Sequence, residues 1–203
     1  MSFCVAQQST FLEELMAAGR GVAGLLIGDR RAGGYFDYSQ RGLVGSFIAF
    51  LAVTGINATL PVALGMRDSG GIARSVLMVA ILFGLQLAFS AIVLRQLKRL
   101  DGLVPYLVAD NWATFFLTLI SGALAAAGID GDPVLIVLAI VVIVIEVNIA
   151  RLIVTLSPLQ IAMFLIAQLV GVSIGLALIG LTFPLPPDAA AGVGAATAVG
   201  AAV

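Results

Sequence analysis

The sequence predicts an all-α fold, a polytopic membrane bundle of five transmembrane helices preceded by an N-terminal amphipathic helix. Three observations predict it. Five apolar runs stand out: Leu43–Gly65, Ser75–Leu94, Leu103–Gly128, Pro133–Ile149 and Pro158–Phe183. Each is long enough, or nearly so, to cross a hydrocarbon core of about 30 Å as a helix rising ~1.5 Å per residue. The chain is 61% hydrophobic and only 10% charged, against about 45–50% and about 25% in soluble domains. The positive charges are also sorted. Arg20, Arg30, Arg31, Arg41, Arg95, Lys98, Arg99 and Arg151 fall on one side of the spans, and only Arg67 and Arg74 on the other. Such a bias in short loops places the N-terminus in the cytoplasm and the C-terminus outside.

Residues 1–42 are expected to form a cytoplasmic amphipathic helix and juxtamembrane loop. Met1–Thr10 has neither a basic n-region nor an apolar h-region, so it does not read as a secretory signal. Thr10 followed by Glu13 is a capping box, which starts a helix by satisfying its free N–H groups. Phe11, Leu12, Leu15, Met16, Val22, Ala23 and Leu26 then recur at helical spacing, with Glu13, Glu14 and Arg20 away from that stripe. Two placements satisfy the pattern: flat on the cytoplasmic membrane face, or packed on the loops of the bundle itself. Gly19, Gly21 and Gly24 are expected to weaken the helix, each by ~1 kcal/mol relative to alanine. In the following GDRRAGGYFDYSQRG stretch, Tyr35, Phe36 and Tyr38 suit the interfacial aromatic belt and the arginines suit anionic headgroups.

The transmembrane domain is expected over residues 43–183. Pro61 lies inside the first span and predicts a kink or a frayed outer end. Pro133 and Pro158 begin spans, where the missing N–H costs least. Apolar side chains gain little from touching each other in lipid, so close backbone approach governs packing. Ala80, Gly84 and Ala88 in the second span, and Ala167, Gly171 and Gly175 in the fifth, offer smooth faces for it. These faces serve a packed bundle or an oligomer equally well. Trp112 reads as an interface anchor, and Arg95, Lys98 and Arg99 as a positive loop. The tail, 184–203, is Pro-, Ala- and Gly-rich and is expected to be disordered outside the membrane.

Composition also bounds function. A net charge of −1 excludes a generally basic nucleic-acid binder. Histidine is absent and Cys4 is the single cysteine, so no metal, haem, disulfide or Ser-His or Cys-His chemistry is expected. The expectation is therefore a non-enzyme without a cofactor. Its partners would be the lipid bilayer and other membrane proteins or a second copy of itself.

Five polar residues form the candidate site: Glu146, Asp110, Arg151, Asn111 and Asn148. Glu146 follows the most hydrophobic run in the chain, and a carboxylate so placed must be paired, wet or protonated. Helix depth brings Asp110 and Arg151 to a similar level, with Glu146 one to two turns deeper. One reading is a polar pocket or ion path opening to the cytoplasm, with Glu146 binding a proton or cation and Asp110 and Arg151 as gate or partner. The other is a polar clasp, with Asp110 and Arg151 paired across two helices and Glu146 hydrogen-bonded to an Asn or Gln.

The stretch Gly28–Phe47 carries a Gly-Asp-x-Arg turn (Gly28, Asp29, Arg31) and a Phe-Asp-x-Ser step (Phe36, Asp37, Ser39) before the first span. In this it resembles a group of uncharacterised bacterial inner-membrane proteins, loosely called transporters. The five-span layout is also similar, by topology alone, to Yip-type membrane proteins. The resemblance implies a multi-pass inner-membrane protein and carries over no catalytic residue. The leading expectation is a structural or accessory membrane protein acting through helix–helix and lipid contacts. The alternative is a small transporter or channel with its polar site in the cytoplasmic half.

Overall fold

The computed structural model describes residues 10–63, 70–129 and 131–182. Cys4, Arg67 and the 184–203 tail lie outside them. The described residues are mostly helical, without a strand, and five of six α-helices are long and apolar enough to cross a membrane. The helices are α1 (Phe11–Ile27), α2 (Gln40–Ala63), α3 (Gly70–Gln96), α4 (Leu103–Ala126), α5 (Asp132–Asn148) and α6 (Pro158–Thr182). α2 continues through Pro61 to Ala63. Helices α2 to α6 alternate in direction. The end carrying α1, the α3–α4 loop and the α5–α6 loop is called the α1 end below.

α1 begins as its capping box requires. The Thr10 N–H donates to Glu13 Oε2 at 2.8 Å and the Glu13 N–H to Thr10 Oγ1 at 3.3 Å. It ends at Gly28, whose left-handed φ of 73° lets the Asp29 N–H return to the Gly24 carbonyl at 2.8 Å. The helix packs on α4 and α5 and on the short turn Ala32–Tyr35. Its glycines are contact points. A Cβ at Gly21 would come within 2.6 Å of the Phe36 ring, at Gly24 within 3.1 Å of Ala32, and at Gly19 within 3.2 Å of Phe116. Their cost in helix propensity is thus offset by closer packing. Phe36 is accordingly buried under α1, while Tyr35 stays exposed. Ala18, Val22 and Leu25 face the bundle, while Leu12, Met16 and Ile27 are exposed. α1 is thus packed on the bundle along one face and leaves a second apolar face exposed.

α4 is the central helix. It is the least hydropathic of the five spans and has the largest buried share. All eight residues from Tyr106 to Ala113 are buried. Trp112, 1% exposed, is a core residue and not an interface anchor. Its ring meets Phe11, Phe115 and Phe116 with centroids 5.7–6.2 Å apart. The most extensive helix pairing joins α3 to α6, followed by α2 with α4.

At the α1 end two loops are tied together. The Arg99 guanidinium donates to the carbonyls of Val154 and Thr155 at 2.6 and 3.1 Å and to Thr155 Oγ1 at 2.6 Å. Those groups close the π-helical turn Ile149–Ile153 that ends α5. A cation suits the exposed carbonyls of a helix C-terminus. Arg99 thus has a structural role beyond its contribution to the positive loop.

Candidate functional site

A polar network crosses the middle of this apolar bundle. Asp110 on α4 and Glu146 on α5 line one cavity, with their carboxyl groups close enough to interact. Gln168 on α6 lies beside Glu146, and its Nε2 donates to the Tyr106 hydroxyl at 2.9 Å. Gln86 on α3 donates to the same hydroxyl at 3.1 Å. Ser90, fully buried on α3, lies 3.5 Å from Gln168 Nε2. The network so built runs from Gln86 through Tyr106 and Gln168 to Glu146 and Asp110, and draws on four helices.

Spacing explains why the carboxyl groups meet. Asp110 lies seven residues after Leu103, and Glu146 seven before Ile153, where the π turn prolonging α5 ends. Each is about 10 Å along its helix from the α1 end. The sequence expectation set Glu146 deeper than Asp110; the two are level, because α5 continues through that turn. Asp110 is 7% exposed, and Glu146 Oε2 is buried with no protein donor.

The pair ends a cavity of about 240 Å³ between α4 and α5. Thr114, Thr118 and Ser121 line it from α4, and Leu138, Val142 and Ile145 from α5. Residues 110, 114, 118 and 121 fall on one helical face. A second cavity of about 240 Å³ lies among α2, α3 and α4, lined in part by Thr54, Asn57 and Ser75. Thr114 and Thr118 line both. A third, about 400 Å³, is bounded by α1, α4 and α5 and lined by apolar residues, among them Val22, Leu26, Phe116 and Val141.

The chain matches no known family model, curated protein or solved structure.

Of the five candidate residues, only Glu146 and Asp110 come together. Arg151 is exposed on the π turn, and Asp110 turns to Glu146 instead of pairing with it. The turn swings residue 151 out of the bundle, so the expected Asp110–Arg151 clasp does not form. Asn148 Nδ2 donates to the Leu25 carbonyl at 2.8 Å, tying α5 to the end of α1. Asn111, fully buried, points to α2, where its Nδ2 donates to Ser46 Oγ at 3.2 Å. Tyr106, Ser90, Thr114 and Thr118 were not singled out by the sequence. The signal was present for the threonines, since hydroxyls at 114 and 118 continue the face begun by Asp110. Among the described residues no group of three or more His, Cys, Asp or Glu side chains could hold a metal ion.

Proposed function

We propose that this protein is a small membrane transporter or channel in which the Asp110–Glu146 pair binds a proton or small cation. The observation that carries the reading is the pair itself, two carboxyl groups lining one cavity in an apolar bundle, with Glu146 Oε2 buried and lacking a protein donor. An intramembrane ionisable pair is costly to the fold and is expected where function needs it. No enzymatic step is part of the proposal. The membrane is a bacterial inner membrane, with the α1 end in the cytoplasm and the C-terminus outside. The charge sorting and the resemblance of the Gly28–Phe47 stretch support this placement.

The test is proton flux into liposomes holding the purified protein and a trapped pH-sensitive dye. Wild type is expected to dissipate an imposed pH gradient faster than empty liposomes, and Glu146→Gln to lose at least tenfold of that rate. A wild type no faster than empty liposomes sinks the proton form of the proposal. A Glu146→Gln variant as fast as wild type removes Glu146 from it.

One observation favours a second reading, a structural or accessory role through helix–helix contacts. Ala80, Gly84 and Ala88 form an exposed strip on α3, and a Cβ at Gly84 would meet nothing within 4 Å. This reading expects a wild type without flux, and a second copy or a stoichiometric membrane partner that survives mild detergent.

A further inference from the structure

The cavities that share Thr114 and Thr118 lie on different sides of α4 and overlap in depth. The first begins at Asp110 and Glu146 and extends along α4 as far as Ser121. The second includes Asn57 and Ser75, close to where α2 ends at Ala63 and α3 begins at Gly70. That is the end opposite α1. From Asp110 to Thr118 is about 12 Å at 1.5 Å per residue. Together the two cavities cover the distance from the carboxyl pair to the far end. Their shared wall is the hydroxyl face of α4.

Toward α1, the adjoining third cavity shares Leu117, Leu138 and Ile145 with the first but is lined by apolar residues, and no hydroxyl face continues into it. Tyr106, 1% exposed, is held by Gln86 and Gln168 and meets Phe164 edge-on at 5.1 Å. Leu94, Ile149 and Val154 are fully buried at that end of the bundle. Of the two readings of the sequence, the one with a polar pocket has it open toward the α1 end.

We infer that a small hydrophilic cation, hydronium included, reaches the carboxyl pair from the end opposite α1, along the Thr114–Thr118 face of α4, while the Tyr106 layer seals the α1 end. The inference deepens the transport reading and rests on it for its consequence. The chemistry fits the residues. Threonine and serine hydroxyls donate and accept hydrogen bonds, so they can replace part of a hydration shell. The facing Leu138, Val142 and Ile145 offer no competing site. A volume of about 240 Å³ holds several waters at ~30 Å³ each.

Cysteine accessibility tests this without depending on flux. In a Cys4→Ser background the full chain has no other thiol. Single substitutions Thr114→Cys, Thr118→Cys and Ser90→Cys are close in size to the native residues. Asp132→Cys and Gln96→Cys, both at exposed positions, mark the far end and the α1 end. A charged, membrane-impermeant thiosulfonate is applied to one side of the membrane at a time. The expected result is that the Thr114→Cys and Thr118→Cys variants react only from the side that modifies Asp132→Cys, at least tenfold faster than Ser90→Cys. Reaction no faster than Ser90→Cys from either side overturns the inference, and means that the groove is dry or filled by a lipid chain. Reaction from the Gln96→Cys side also overturns it. Far-side reaction in a protein without flux upholds the route and sinks the transport reading. Flux with no far-side reaction does the reverse.

Discussion

At the residue scale, three buried oxygens among the described residues have no protein donor: Glu14 Oε1, Asn111 Oδ1 and Glu146 Oε2. Leaving such atoms unpaired costs free energy, so each marks a place where the fold is not optimised for stability. Glu14 shows how. It is buried beside Gly45, where even a Cβ would approach Oε1 to 2.6 Å. Burial raises its carboxyl pKa, the nearby Asp37 raises it further, and Arg41 partly opposes both. The folded protein therefore holds this proton more tightly than the unfolded chain does. The Glu14 contribution is most favourable below the ordinary value of 4.5, and is lost as pH rises through the raised value. Glu14→Gln is expected to raise Tm in detergent at pH 8, with the advantage closing as pH falls below 4.5. An equal Tm difference at both pH values would refute this account. The Tyr38 phenol, by contrast, is pushed up to about 12 by burial. It stays neutral at pH 8 and keeps its 2.8 Å hydrogen bond to the Gly33 carbonyl.

At the element scale, the two small-residue strips have different fates. Gly171 and Gly175 on α6 are buried against α3, where added Cβ atoms would lie 3.0 Å from Phe89 and 2.7 Å from Leu82. Ala167 is half-buried beside them. The α3 strip of Ala80, Gly84 and Ala88, expected to pack in the same way, faces outward. α3 meets α6 through Leu82, Leu85 and Phe89 instead, so large side chains on one helix fill the small-residue groove on the other. Gly175→Leu is expected to destabilise by about 1–3 kcal/mol through overpacking. Gly84→Leu is expected to change stability by less than about 0.5 kcal/mol. Thermal unfolding in one detergent compares them, and equal losses would show that the Gly84 strip is also a packed surface. Four-residue spacing alone cannot tell these strips apart, because it records smoothness and not which neighbour lies across from it.

At the scale of the whole molecule, the proposed topology has five crossings, with the α1 end in the cytoplasm, and rests on the arginine and lysine sorting. A fluorescent protein fused at residue 1 is expected to be bright, and a phosphatase fused after Val203 active outside the cytoplasm. Two fusions reporting the same compartment would break the five-span topology. Burial follows the order of hydropathy at one extreme: α4, the least hydropathic span, is the most buried. A helix carrying Asp110, Asn111 and two threonines is least costly where protein replaces lipid on most of its sides.

The sequence by itself determined the helices, their ends to within a few residues, the capping box on α1, and Glu146 and Asp110 as residues needing an explanation. These follow from local rules, since span length, capping and charge each act within a turn or within one loop. Only the tertiary structure decided which polar groups meet. It joined Asp110 to Glu146 and left Arg151 outside. It buried Trp112, and it gave the α1 glycines partners in Phe36, Ala32 and Phe116. Such pairings depend on how each helix is rotated about its axis and on the extra residue of a π turn. A rotation of a few tens of degrees leaves hydropathy and length unchanged, yet exchanges a lipid-facing side chain for a buried one. That rotation is set by neighbours far away in sequence, and no local pattern encodes it.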